Sequence, residues 1–191
     1  MSDEGRGKPE RFASGGRGTG VVGLVVDAVL LVYGVVEPRA DYAAWAWPAL
    51  LLAGVVIWVV LVRPAVVVRG DLLELRNLVR STWLPLARAT RVEIAQMTTV
   101  HTAEGKHVGV GLSRSRRQVG QDLRLGDLAP RTKTKSLGGM VEEKLNRGAA
   151  RAREDQARLG TEPPAVRHTW AWPEIAALVV LTVATVVLAL A

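Results

Sequence analysis

The sequence contains no cysteine, so disulfide bonds and cysteine-based metal or redox sites are excluded. Its three histidines, His101, His107 and His168, are scattered along the chain and no third metal ligand follows at a sensible spacing. No Ser/His/Asp set, no paired carboxylates and no phosphate loop between a strand and a helix can be assembled from the residues. We therefore expect no enzymatic activity, no cofactor and no bound metal.

Charged residues are almost absent from three stretches, residues 20–36, 43–62 and 172–191, in which apolar residues concentrate. A helix that crosses about 30 Å of hydrocarbon needs roughly 20 residues, with 17 near the lower limit. Soluble proteins mix apolar and charged residues along each element, whereas this chain separates them. The pattern predicts three transmembrane helices joined to a smaller domain, a membrane protein of the α+β class.

The first stretch has a second interpretation because Asp27 lies at its centre. It could instead be the apolar core of a signal peptide. A polar lead of 19 residues, the ionisable residue within the core and the lack of a convincing cleavage site favour a retained helix. Residues 1–19 are then predicted to form a disordered tail.

The distribution of Lys and Arg predicts the topology, because these residues accumulate on the cytoplasmic side. The loop between the first two stretches has Arg39 alone, whereas residues 63–170 hold 20 Lys and Arg against 11 Asp and Glu, a net charge of +9. The tail is also basic, with Arg6, Lys8, Arg11 and Arg17. We expect a multi-pass protein of the plasma (inner) membrane with a cytoplasmic N-terminus and central domain and an outside C-terminus.

One face of the first predicted helix is small and polar, since Gly20, Gly23, Asp27 and Gly34 fall on the same side. A carboxylate in the bilayer centre is costly and rarely faces lipid, and small residues let helices approach closely. We expect this face to pack inward. The predicted helix-packing residues are Gly23, Asp27, Gly54, Thr182 and Thr185, with Asp27 bonded to one of the two hydroxyls. A proton relay or a docking site for another membrane protein is the alternative role of Asp27.

Short alternating segments bounded by turn residues follow in residues 63–112. They predict strands at 65–69, 72–77, 80–86, 91–94, 98–102 and 107–112, with turns at 70–71 and 103–106. About six strands in some fifty residues are typical of a small antiparallel sandwich or barrel.

Several short motifs in this segment carry a resemblance. Arg63-Pro64 closes the second stretch and is followed by Val66, Val68, Gly70-Asp71-Leu72, Leu75-Arg76-Asn77, Arg80, Trp83-Leu84-Pro85 and Val92. In these residues the chain resembles the bacterial pleckstrin-homology-like (PH-like) domains of small actinobacterial membrane proteins, of the low-molecular-weight protein antigen type. The resemblance covers residues 63–112 and implies a bent antiparallel barrel closed by a C-terminal helix, without enzymatic activity.

The chain departs from that family pattern after Leu112, because residues 113–136 read as a basic loop. Its basic residues are Arg114, Arg116, Arg117, Arg124, Arg131, Lys133 and Lys135. Each such charge near an anionic leaflet contributes about 1 kcal/mol of attraction, so the loop is predicted to lie on anionic lipid headgroups. A merely solvated loop is the alternative. Nucleic acid is not an expected partner, because the segment has no aromatic residue for base stacking.

Residues 137–159 predict a helix capped by Ser136, whose thin apolar stripe indicates loose docking, and residues 160–169 predict a tether to the third span. The whole pattern favours a binding or scaffolding module at the inner leaflet. The alternative is an accessory subunit of a transporter or envelope-assembly enzyme that docks through the Asp27 face onto an unidentified membrane protein.

Overall fold

The computed structural model of the chain describes residues 9–13, 16–37, 41–125 and 136–191, with the backbone alone at 122–125. It confirms an α+β protein with antiparallel sheets. The chain divides into two compact units. The sheet unit comprises the described residues of 1–14, 64–77 and 81–169, and the helical unit those of 15–63, 78–80 and 170–191.

The strands in chain order are β1 (Glu10–Phe12), β2 (Ala65–Arg69), β3 (Leu72–Arg76), β4 (Arg80–Pro85), β5 (Arg91–Ile94), β6 (Thr98–Thr102), β7 (Gly105–Gly109) and β8 (Arg167–Trp170). The helices are α1 (Gly16–Val36), α2 (Ala46–Ile57), α3 (Arg116–Leu125), α4 (Leu137–Leu159) and α5 (Trp172–Leu190). A π-helical turn, Trp58–Val62, continues α2, and a 3-10 turn spans Leu86–Arg88.

Two sheets form the strand layer. One has the order β1-β2-β3-β4-β8 and the other the order β5-β6-β7. The predicted turn at 70–71 joins β2 to β3, and Gly70 takes a φ of +57°, a conformation that glycine adopts without a Cβ clash. The register pairs Val66 with Leu75 and Val68 with Leu73, so alternate residues of both strands point into one core.

Helix α4 completes this core. The Ser136 hydroxyl accepts a hydrogen bond from the Gly139 N–H at 3.2 Å, which confirms the predicted cap. The stripe formed by Val141, Leu145 and Ala149 lies at 3% exposure or less and belongs to the same cluster as the sheet residues. The expectation of a loosely docked helix is therefore wrong. Small side chains allow the helix backbone to approach the sheet closely, which a thin stripe does not reveal in the sequence.

Side chains of α4 also satisfy the open edge of β5. The Asn146 amide accepts from the Val92 N–H at 2.9 Å and donates to the Val92 carbonyl at 2.8 Å. The Glu142 carboxylate accepts from the Ile94 N–H at 2.8 Å. An exposed strand edge is a template for unwanted pairing, and here the polar side chains of a helix occupy it.

Several segments differ from the organisation predicted from the sequence. Residues Glu10–Phe12, predicted within a disordered tail, pair with β2, and α1 begins at Gly16 rather than at residue 20. Helix α3 occupies Arg116–Leu125, within the predicted loop. Arg167–Trp170, within the predicted tether, form strand β8 beside β4. Each of the two added strands gains its backbone partners from a segment more than fifty residues away, which local pattern cannot report.

Replacing Asn146 by Ala tests the edge closure. The variant leaves the N–H and carbonyl of Val92 without their side-chain partner, so we expect a loss of about 1–3 kcal/mol in the free energy of unfolding. Amide hydrogen exchange should speed up at Val92 before it does elsewhere in β5.

The neighbouring Arg147→Ala variant is the matched control, because its side chain is 65% exposed and makes only a 3.8 Å ion pair with Glu143. That variant should change stability by less than roughly 0.5 kcal/mol. Equal losses in the two variants would show that Asn146 does not close the edge.

Candidate functional site

The face of α1 that carries Asp27 packs against α2 and the π-helical turn. A Cβ placed on Gly20 would lie 2.7 Å from the Leu61 Cβ, and one placed on Gly54 would lie 2.6 Å from the Asp27 Oδ2. A Cβ on Gly34, near the other end of α1, would lie 3.1 Å from the Trp47 ring. Contact positions therefore ascend along α1 as they descend along α2. The two helices form an antiparallel pair whose close approach depends on glycine.

Asp27 lies inside this pair, at 8% exposure, whereas the valines around it point outward. Val22, Val29 and Val36 are 60% exposed or more. Helix α1 thus places Asp27 inward and these valines outward. This is the reverse of a soluble helix, in which the apolar stripe faces the core.

The predicted hydrogen bond between Asp27 and a hydroxyl of α5 is not formed. The Thr182 hydroxyl donates to the Leu178 carbonyl at 2.7 Å, and the Thr185 hydroxyl donates to the Leu181 carbonyl at 2.7 Å. A threonine in an apolar helix satisfies its hydroxyl most readily on the carbonyl one turn back. Gly23 and Gly54 lie with Asp27 at the contact between α1 and α2, whereas the two threonine hydroxyls bind carbonyls of α5 itself.

A second polar cluster lies at the end of the helical unit where α5 begins. Arg63 follows the π-helical turn. Its Nε donates to the Glu174 carboxylate at 3.2 Å and its Nη1 donates to the Leu78 carbonyl at 3.0 Å. The Ala171 N–H donates to the Val79 carbonyl at 2.8 Å. Residues 78–80 are therefore held within the helical unit by side-chain and backbone bonds. Sequence reasoning did not identify this cluster, because its members are up to 111 residues apart.

Arg114 is not a lipid-facing residue, which corrects the prediction for the basic loop. It is 8% exposed, its Nε donates to the Ile94 carbonyl at 2.5 Å, and its guanidinium pairs with the Glu142 carboxylate. The carboxylate that neutralises it lies on α4, 28 residues further along the chain. A basic residue within a basic segment is predicted to be solvated when the carboxylate that pairs with it lies far away in the sequence.

Arg116 and Arg117 are exposed at the start of α3. Arg116 lies on the rim of a cleft of about 500 Å³ whose apolar lining includes Met97, Val108 and Val119. The predicted basic residues Arg131, Lys133 and Lys135 lie outside the described part of the chain, as does the side chain of Arg124. The described portion of the loop therefore combines exposed arginines with an apolar cleft.

The two histidines of the β6–β7 hairpin do not face each other. In the β6–β7 hairpin Val100 pairs with His107 and His101 pairs with Lys106, so the two imidazoles point to opposite faces. His107 lies instead 6.0 Å from His168 between ring centroids. Among the described residues, no three His, Cys, Asp or Glu side chains come together as a metal site would require.

A buried carboxylate in the sheet unit was also missed by sequence reasoning. Glu74 is 2% exposed and pairs with Arg76 at 2.6 Å and Arg69 at 3.6 Å. The Arg69 guanidinium lies 5.4 Å from the centroid of the Trp83 ring. The alternation of β3 alone places Glu74 opposite the core residues, but it does not indicate that flanking arginines cover it.

Arg88 fastens the segment between α4 and β8. It donates to the Pro163 and Pro164 carbonyls, each at 2.8 Å, and pairs with Glu104 in the β6–β7 turn. Hydrogen bonds from the backbone of Glu104 and from the Thr102 side chain, together with the charge of Arg88, hold the pKa of Glu104 below its usual value. This cluster has a structural role, because one guanidinium ties the β6–β7 turn to the segment that leads into β8.

Comparison of the chain with known protein families, with curated proteins and with solved structures gives no match. The family resemblance noted in the sequence therefore stays a prediction. The function of the chain has to be inferred from the geometry of its two units.

Replacing Gly20 by Ala tests the contact between α1 and α2. The new methyl group would meet the Leu61 Cβ at 2.7 Å and the Val62 Cγ2 at 2.9 Å, and the Leu61 Cβ cannot move without shifting its backbone. We expect a loss of about 1–3 kcal/mol in stability, read from thermal or denaturant unfolding of the full chain in detergent.

Gly18→Ala is the control, since a Cβ at Gly18 meets nothing within 4 Å and lies on the same helix. It should be neutral or slightly stabilising, because alanine favours helix over glycine. A Gly20→Ala variant as stable as Gly18→Ala would refute the close approach.

Proposed function

We propose that this chain is an integral membrane protein of three helices that holds a PH-like binding or scaffolding module at the cytoplasmic face of a bacterial plasma membrane. The observation that carries the proposal is the outward display of apolar side chains by the helical unit. A soluble protein would bury such side chains in its core.

Within the described part of the chain, two helices are long and apolar enough to cross a membrane. They are Gly16–Val36 and Trp172–Leu190, and within them almost no residue is buried by the rest of the protein. On α5, Val180 and Val183 are 63% and 57% exposed, and Leu190 is 83% exposed. Exposed apolar patches of this extent occur at protein or lipid interfaces. Hydrocarbon is the surrounding that suits all of these valines and leucines at once.

Helix α2 supplies the third span in this proposal. With its π-helical turn it covers Ala46–Val62, an apolar run of 17 residues. At 1.5 Å per residue it is about 26 Å long, close to the thickness of a thin hydrocarbon core. Because α2 packs against both α1 and α5, we expect α2 to cross the membrane together with them.

The charges at the two ends of the helical unit support the orientation. Arg17, Arg63 and Arg80 lie at the end where α1 and α5 begin, whereas Glu37 and Asp41 follow the other end of α1. The positive-inside bias assigns the arginine end to the cytoplasm. The sheet unit follows directly from Arg63 and is then cytoplasmic.

The architecture of the sheet unit supports the PH-like part of the proposal. Two antiparallel sheets share one core, and a C-terminal helix, α4, fills it with Val141 and Leu145. Fold alone does not assign a ligand. The support for a binding role is the apolar cleft beside α3, with the exposed Arg116 and Arg117 next to it, which suits anionic lipid headgroups.

The face of α1 predicted to dock a partner in the accessory-subunit alternative is covered within the helical unit. Asp27 is covered by α2, at the position where Gly54 makes room for it. A partner helix would have to contact the valine face of α1 instead, and no described feature there favours a protein over lipid.

Cysteine accessibility tests the topology, and the natural chain has no cysteine to interfere. Single cysteines at Ala44, Ala103 and Ala191 would each be probed with a membrane-impermeant maleimide in intact cells. We expect labelling at Ala44→Cys and Ala191→Cys, and at Ala103→Cys only after the membrane is permeabilised. Labelling of Ala103→Cys in intact cells would show that the sheet unit lies outside, which would contradict the proposed orientation and the cytoplasmic module.

An environment-sensitive dye on Gly120→Cys tests whether α3 reaches lipid. A Cβ at this position meets nothing within 4 Å, so a cysteine fits there without a clash. In nanodiscs with anionic lipid we expect a blue-shifted emission that about 1 M salt removes, because salt screens exposed charges.

The double variant Arg116→Gln/Arg117→Gln should lose the shift, and a dye on Ala103→Cys should not show it. A shift of equal size in nanodiscs of zwitterionic lipid would reject a headgroup role for the arginines.

A further inference from the structure

Arg80 has an unusual environment at the end of the helical unit where α5 begins. Its Nε is shielded from solvent and has no hydrogen-bond acceptor among the described residues. Its guanidinium lies 5.8 Å from the centroid of the Trp170 ring, within the range of a cation–π contact. Trp170 therefore holds the position of the guanidinium without satisfying its donors.

The hydrogen-bond acceptors next to Arg80 in the chain already accept from other donors. The Leu78 carbonyl and the Glu174 carboxylate accept from Arg63, and the Val79 carbonyl accepts from the Ala171 N–H. A buried donor left without an acceptor is unfavourable. Because the Nε is shielded from solvent, a ligand can bring an acceptor oxygen only to the outer guanidinium nitrogens of Arg80.

Two exposed indoles flank the site. Trp170 is 53% exposed and Trp172 is 68% exposed, and their ring centroids are 6.4 Å apart. Trp172 is the first residue of α5, one of the two helices long enough to cross a membrane. Tryptophan concentrates at the level of lipid headgroups, where one side of the ring is apolar and the N–H is wet.

We propose that Arg80, Trp170 and Trp172 form a binding site for the phosphate of an anionic phospholipid, with the indoles packing along the upper part of its acyl chains. A planar guanidinium binds phosphate oxygens through two parallel hydrogen bonds. The net positive charge of Arg63 and Arg80 against Glu174 favours an anionic headgroup over a zwitterionic one. This inference rests on the proposed membrane insertion, and it adds a lipid site built from residues other than Arg116 and Arg117.

Native mass spectrometry of the full chain released from detergent tests the site. With phosphatidylglycerol present we expect one retained lipid per chain, and Arg80→Gln should weaken retention about fivefold, the effect of about 1 kcal/mol. Trp170→Leu should also weaken it, because the guanidinium loses its support. Phosphatidylcholine should be retained less than phosphatidylglycerol by the natural chain.

Arg17→Gln is the matched control, since it removes one positive charge from the same helical unit and Arg17 makes no cation–π contact with any described residue. It should retain lipid as the natural chain does. Equal loss in Arg17→Gln and Arg80→Gln would overturn the site and leave only a general charge effect.

A thermal-shift measurement in detergent distinguishes a phospholipid from free phosphate as the ligand. Phosphatidylglycerol should raise the Tm of the natural chain and not that of Arg80→Gln, whereas inorganic phosphate at the same concentration should do neither. An equal rise with inorganic phosphate would overturn the lipid assignment. Because Arg80→Gln should still fractionate with membranes, loss of lipid retention and failure of membrane insertion give different results.

Discussion

The outward-facing valines and leucines of α1 and α5 set the constraint on which the rest of the structure depends. In water, apolar surface removed from solvent contributes roughly 25 cal/mol per Å², so a chain that leaves whole helix faces exposed forgoes its main source of stability. The one carboxylate of α1, Asp27, is enclosed against Gly54 at the same time. In hydrocarbon both arrangements are favourable, because lipid is a good surrounding for exposed valines and a carboxylate is costly there unless it is enclosed.

Side-chain amides replace backbone pairing at two edges in the sheet unit. Asn146 binds both polar groups of Val92, and Asn77 donates to the Val108 carbonyl at 2.8 Å while accepting from the Val110 N–H at 3.0 Å. Each amide serves as the partner that a further strand would supply. The three-stranded sheet can therefore end at β5 and at β7 without leaving these edge groups open.

The parts of the fold that local pattern determines were predicted well. Strands 65–69, 91–94 and 98–102 and the Ser136 cap have the predicted bounds, because alternation, turn residues and capping act within a few positions. The burial of Arg114 by Glu142, the pairing of β1 with β2 and the cluster around Arg63 were not predicted. Each depends on a partner 28 or more residues away, and a single sequence carries no signal for that distance.

Membrane partition tests the insertion of the helical unit most directly. Membranes from cells that produce the full chain would be washed with alkaline carbonate, which strips peripheral proteins, and then treated with detergent. The outward apolar faces of α1 and α5 predict that the chain stays in the carbonate-washed pellet and is released by detergent alone. Recovery of folded, monodisperse chain in the carbonate supernatant would contradict membrane insertion, because those faces would then have to be stable in water.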